Sequence, residues 1–191
     1  GIDTACMKID DVVISGQTAK QVVTLRQGIE LSARHAWSPH WKSMASLTSM
    51  RATYDQTYTT SAAGTIPAGN RLPGVPDRQA FASLQWAQTG FTAPGKVPRA
   101  GLEAGLDWLA RSQLWANDTN TAAAAGYGLF NARVKQRFQW DRAAMEAYLG
   151  IDNLANRLTT GSVIVNQASS QFYEPGLPRS WILGLQTRLP L

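Results

Sequence analysis

Apolar residues in this chain recur at every second position, and that period constrains the fold more than any other feature. Leu102, Ala104, Leu106, Trp108, Ala110 and Leu114 share one face of an extended segment; Glu103, Gly105, Asp107, Arg111 and Gln113 share the other. The pattern returns in Phe130, Ala132, Val134 and Phe138 against Asn131, Arg133, Lys135, Arg137 and Gln139. It returns again in Met145, Ala147, Leu149 and Ile151 against Glu146, Tyr148 and Asp152, and in Trp181, Leu183, Leu185 and Leu189 against Gln186 and Arg188. Earlier, Ile29, Leu31, Ala33 and Trp37 oppose Glu30, Ser32 and Arg34. Trp41 to Tyr58 alternates poorly, but its Thr, Ser and Tyr content places it as a strand.

Turn chemistry cuts these strands into hairpins. Ser38, Pro39 and His40 make one tight connection, Trp140, Asp141 and Arg142 another, and Gly90 to Pro98 a looser third. Longer polar loops run from Thr59 to Pro76, Asn117 to Gly126 and Leu158 to Pro178. Short connections alternating with long ones along about eight strands predict an all-β antiparallel up-and-down meander, a segment of a transmembrane β-barrel. Two alternatives stand beside it: a passive porin or adhesin-like barrel, and a soluble β-sandwich binding module. Sandwich turn signals recur roughly every 8 to 12 residues, more closely than here. Trp37, Trp41 and Trp140 flank the short turns, and Trp115 and Trp181 the long loops, as aromatic belts at two membrane interfaces would. Trp108 falls mid-strand on this reading.

The rest of the composition removes other classes. The net charge of +5 comes from Lys and Arg scattered singly, without the clustered footprint of a nucleic-acid-binding surface. Cys6 is the only cysteine, which leaves no intrachain disulfide framework or thiolate cluster. His35 and His40 lack a carboxylate at ligand spacing and read as turn histidines rather than a metal site. No run of roughly 20 apolar residues exists to make a transmembrane helix. The sequence from Gly1 shows no signal peptide, so a targeting segment is expected upstream. No Ser-His-Asp set, phosphate-cradling loop or carboxylate pair supports catalysis, so neither enzyme activity nor a cofactor is expected.

Several short motifs then point to one family. Arg26-Gln27-Gly28-Ile29-Glu30-Leu31 resembles the R-x-G-hydrophobic-E-hydrophobic signature of TonB-dependent receptor barrels, and Asp10 to Ile14 resembles the strand before it. Asn70-Arg71-Leu72-Pro73-Gly74-Val75-Pro76 resembles the family's N-x-hydrophobic-P-G-hydrophobic-P, and Asp152-Asn153-Leu154 its D-N-L. Phe172 to Arg179 resembles the aromatic, P-G-x-P-R signature that opens the final strand. The motifs stand in family order over nearly the whole chain. Leu189-Pro190-Leu191 departs from the aromatic ending usual in the family.

The resemblance implies that residues 1–191 are the C-terminal portion of a receptor barrel in a bacterial outer membrane, lacking the plug domain and TonB box. Whole barrels of this kind have about 22 strands. It further implies TonB-dependent uptake of a ferric siderophore or similar scarce-nutrient chelate, with outer-membrane lipid around the wall and the TonB complex reached through the missing N-terminal part. Ligand contacts are then expected near the extracellular end, from Arg71, Gln113, Trp115, Tyr127, Phe172 and Tyr173; arginine and aromatic rings suit an anionic, ring-bearing chelate. Pairing across the Asn117 to Gly126 loop is expected to set Asp107 opposite Arg133, Glu103 opposite Arg137, Leu106 against Val134 and Leu102 against Phe138.

Overall fold

A computed structural model describes residues 3–5, 23–61, 63–91, 100–140 and 143–188. The expected Asp10 to Ile14 strand, Cys6, the turn at Asp141 and Arg142, most of Gly90 to Pro98, and Leu189 to Leu191 lie outside these residues. The strands, in chain order, are β1 (Asp3–Ala5), β2 (Thr24–Ser38), β3 (Trp41–Tyr54), β4 (Tyr58–Thr60), β5 (Gly64–Ile66), β6 (Arg78–Ala87), β7 (Gly101–Arg111), β8 (Leu114–Trp115), β9 (Ala123–Ala124), β10 (Tyr127–Trp140), β11 (Ala143–Asp152), β12 (Thr160–Val163), β13 (Tyr173–Pro175) and β14 (Ser180–Arg188). One eight-stranded sheet runs β1-β2-β3-β6-β7-β10-β11-β14, every neighbouring pair antiparallel. This is the expected meander.

The long strands span 9 to 15 residues, enough for the roughly 9 to 11 residues that cross a bilayer at a tilt. Their registers carry a single apolar face across the sheet. One row reads Trp41, Trp86, Ala104, Val134, Leu149, Leu183; the next reads His35, Ser43, Leu84, Leu106, Ala132, Ile151, Trp181. Burial is inverted relative to a water-soluble sheet. Leu183 is 80 % exposed, Leu185 65 % and Trp181 62 %, whereas Asp107 on the opposite face is 7 % exposed. Nothing among the described residues forms a second sheet over the apolar side, so the β-sandwich alternative fails. A wall with its greasy face outward requires an apolar solvent, which a membrane supplies.

The β7–β10 register differs by two residues from expectation. Asp107 opposes Asn131, Glu103 opposes Lys135, and Leu106 and Leu102 oppose Ala132 and Gln136. Face parity holds, since a slip of two keeps every side chain on its own face. The expected ion pairs form diagonally instead: Arg133 Nη2 lies 3.1 Å from Asp107, and Arg137 pairs with both Glu103 and Glu146. Arginine is long enough to reach the diagonal neighbour on an antiparallel face.

Strand ends also move. Leu114 leaves the apolar face of β7, which ends at Arg111, and is buried in the small β8–β9 ribbon. Trp108 therefore sits near the loop end of its strand, facing outward, and not mid-strand. Trp115 is half-buried in the same ribbon rather than in an outer belt. Tyr58 separates from β3 into the β4–β5 ribbon, and β12–β13 forms a third, so each long loop contains a paired ribbon.

The only cluster of buried apolar side chains identified among the described residues is at the loop end: Ala52, Tyr54, Ile66 and Leu72, flanked by Tyr58, Ala63 and Val75. Leu72 N donates to Ala52 O and Tyr54 N to Asn70 O, so the segment after β5 extends the edge of β3 above β6.

Candidate functional site

The three long loops leave the same end of the wall, and polar side chains bind them into one platform. Local turn chemistry starts it. Asn117 Oδ1 accepts from Thr121 N at 3.0 Å and Ala122 N at 3.3 Å, and Asn120 takes a left-handed backbone with φ 55°, which asparagine tolerates. That turn presents Asp118. Tyr54 Oη donates to Asp118 Oδ1 at 2.6 Å, Tyr58 Oη to Oδ2 at 3.3 Å, and Asn166 Nδ2 to Oδ2 at 2.9 Å. One carboxylate thus joins the loop after β3, the loop after β7 and the loop after β11.

Tyr54 is the last residue of β3, paired with Thr24 of β2 and five residues beyond Ser49, where pairing with β6 ends, so it lies at the loop end of the strand. Burial first, and the bonds to Asp118 and Tyr58 second, push its phenol pKa well up from the ordinary value. Tyr58 shifts the same way, mainly by burial. Both phenols stay protonated donors at neutral pH. A second strap lies alongside: Arg71 N donates to Asn120 Oδ1 at 2.7 Å and Asn120 Nδ2 donates to Arg71 O at 2.8 Å.

Of the six expected contact residues, this platform gathers four. Arg71 is held by Asn120 and pairs with Asp77 at 2.9 Å. Trp115 pairs with Ala123, whose carbonyl accepts from Tyr173 Oη at 3.1 Å. Tyr173 is exposed, and Phe172 beside it is buried, ring centroids 6.0 Å apart and edge-on. Tyr127 and Gln113 stand lower, where the β8–β9 ribbon joins the wall. Arg111 stacks 4.6 Å over the Tyr127 ring while donating to Thr160 O at 2.9 Å. None of the six lines either of the described surface cavities. One of these includes Gln85, Glu103, Asp107 and Arg133, and the other Arg34, Lys42, Met44 and Ser83. Asp118, Asn120 and Asn166 were not anticipated; the Asn117-Asp118-Thr119-Asn120 run signals a turn, but not its partners 48 to 64 residues away.

The short motifs acquire structural roles at this end. A Cβ on Gly28 would stand 2.7 Å from Ser49 O, so β2 approaches β3 there only as glycine. Gly74, at φ 76°, donates its N–H to Trp115 O. Asn153, 3 % exposed and also left-handed, accepts from Arg157 N and donates to both Arg157 O at 2.8 Å and Leu177 O at 3.2 Å. Arg179 N donates to Asn156 Oδ1.

Residues 10–154 match the family model described as TonB dependent receptor-like, beta-barrel. The chain belongs to this family. It is a segment of an outer-membrane β-barrel, in a family of receptors rather than enzymes. Among solved structures, it resembles the ferric preacinetobactin receptor BauA of Acinetobacter baumannii, at 18 % identity over 97 % of this chain and 26 % of that one, TM-score 0.70. The siderophore receptor PiuA of the same organism gives 17 % over 96 % and 25 %, TM-score 0.71. The ferric yersiniabactin uptake receptor FyuA of Yersinia pestis gives 19 % over 98 % and 27 %, TM-score 0.67. This chain spans about a quarter of the length of these receptors. At such identities the shared property is the fold. Membership of the family makes the apolar face of the wall its lipid face.

Proposed function

We propose that this chain is the C-terminal portion of the barrel of a receptor that takes up a ferric siderophore or similar metal chelate across the outer membrane. Energy reaches the receptor from TonB through segments outside these residues. The observation that carries the reading is the platform centred on Asp118, which fixes loops from three hairpins over the end of a wall whose inner face is charged. A ligand site needs groups held on a rigid support. Here Arg71, Trp115 and Tyr173 supply cationic and aromatic surface, with Phe172 bracing Tyr173, and Tyr127 and Gln113 at the base. Charge-assisted bonds and ring stacking from such a set suit an anionic chelate. The names of BauA, PiuA and FyuA support a siderophore as the cargo class.

The test is growth of cells carrying or lacking the full-length gene on a panel of ferric chelates as sole iron source. At least one chelate is expected to support growth only with the gene, and Arg71→Ala to weaken that growth. Growth independent of the gene on every chelate overturns the siderophore assignment.

A further inference from the structure

Three apolar side chains break the alternation of the wall on its charged side. Leu109 follows Trp108, and Leu129 precedes Phe130, so each of these strands shows an apolar residue to either face. Leu109 pairs with Phe81 of β6 and with Leu129 of β10, which sets the three side by side in one row of the inner face. All three are half-buried. The row below reads Ser83, Asp107, Asn131, and the row above, nearer the loops, Gln79, Arg111, Tyr127. An apolar strip therefore crosses three adjacent strands in the interior of the sheet, away from either open edge.

Arg111 stands over this strip as a cation without a counter-charge. The inner-face cations of β10 are all matched: Arg133 with Asp107, Lys135 with Glu146, and Arg137 with Glu103 and Glu146. Arg111 has no carboxylate partner among the described residues. Neutral groups hold it instead, the Tyr127 ring and the Thr160 carbonyl, and its Nε–H is enclosed without an acceptor among those residues. Thr160 belongs to the long loop between β11 and β14, so that loop reaches back past β10 to the end of β7 and lies over the strip. The ion-pair belt lower on the wall is closed within itself; the cation and the apolar row beneath the loops are not. Ligand sites combine apolar lining with a few fixed polar groups. Resting on the uptake reading above, we propose that Arg111 and the strip of Phe81, Leu109 and Leu129 select an aryl-bearing anionic ferric chelate. The guanidinium takes an anionic oxygen of the chelate, and the strip takes its ring. Ferric citrate has the charge without the ring, and a ferric trihydroxamate has neither.

Uptake of radioactive iron by cells carrying the full-length receptor tests this, with a ferric tris-catecholate, a ferric phenolate chelate, ferric citrate and a ferric trihydroxamate as probes. Gene-dependent uptake is expected from at least one of the two aryl chelates, at a half-saturating concentration about tenfold or more below that of citrate or the trihydroxamate. Arg111→Gln is expected to raise that concentration about ten- to a hundredfold while maximal uptake per receptor in the membrane stays the same, and Arg111→Lys to raise it less. Leu109→Asn is expected to raise it as well. Uptake confined to citrate or the trihydroxamate overturns this inference alone, whether or not the variants assemble. So does an unchanged half-saturating concentration in Arg111→Gln, the result that a guanidinium paired to the plug domain would give. Absence of gene-dependent uptake from every probe overturns the siderophore reading and this inference with it.

Discussion

Replacing Asp118 with alanine should release the loop platform while leaving the wall intact. The carboxylate receives three side-chain donors, and they are unequal. The Tyr54 bond, at 2.6 Å to a charged acceptor and beside a buried ring, is worth about 1.5–3 kcal/mol. The longer Tyr58 bond and the Asn166 amide contribute about 0.5–1.5 kcal/mol each. Because Asp118 is only half-buried, solvent recovers part of the sum, leaving about 2–4 kcal/mol of local stability. At about 1.4 kcal/mol per decade, protection of the platform amides against hydrogen exchange should fall roughly 30- to 1000-fold. The informative amides are Arg71, whose N–H goes to Asn120, and Asn166, whose N–H goes to Ala116 O. Amides in the middle of β10 and β11 serve as the control, since none of their partners lies in the platform. The reasoning is refuted if Arg71 and Asn166 exchange as in the wild type, or if β10 and β11 lose protection by the same factor.

Three further outcomes are expected of the wall and the platform. Leu183→Arg, near the middle of β14 on the lipid face, should cost about 2–4 kcal/mol in urea unfolding from detergent or lipid, whereas Gln186→Arg, on the inner face opposite Glu146, should stay within about 0.5 kcal/mol. Gly184→Ala should destabilise by about 1–3 kcal/mol, because a Cβ there collides with the Tyr148 ring lying across β14; combining it with Tyr148→Ala should recover part of the loss, read from the unfolding midpoint. The platform should be unaffected by pH through neutrality and loosen above about pH 10: the unfolded tyrosines ionise there while folded Tyr54 and Tyr58, their pKa raised, still hold protons, so stability falls as pH rises. Proteolysis of the loops as a function of pH, with Tyr54→Phe expected to weaken the alkaline loss, measures it.

What was legible in the sequence is what depends on parity. Faces such as Leu102 to Ala110 against Glu103 to Arg111 follow from residue type alone and, Leu114 apart, hold in the described strands. Register is a different quantity. The shift by two in β7–β10 preserves all faces and is decided by how much chain the β8–β9 ribbon consumes, which depends on Leu114 turning away from the wall to be buried. The platform was less legible still. Asp118 and Tyr54 are 64 residues apart, and their pairing rests on three loops meeting, a property that no local pattern encodes. The motifs marked the place without revealing the job: Asn153 and Gly74 are fasteners for loop ends, and Asn70 too donates to the Asp118 carbonyl.

The amide of Asn153 has an evolutionary consequence. By holding Arg157 and Leu177 together, it gives the segment from 158 to 176 a closed base, like a bead tied off at its neck. Closure entropy grows only slowly with loop length, so that segment can be lengthened, shortened or exchanged for another while β11 and β14 keep their register. A change of loop can thus be made without renegotiating the wall beneath it.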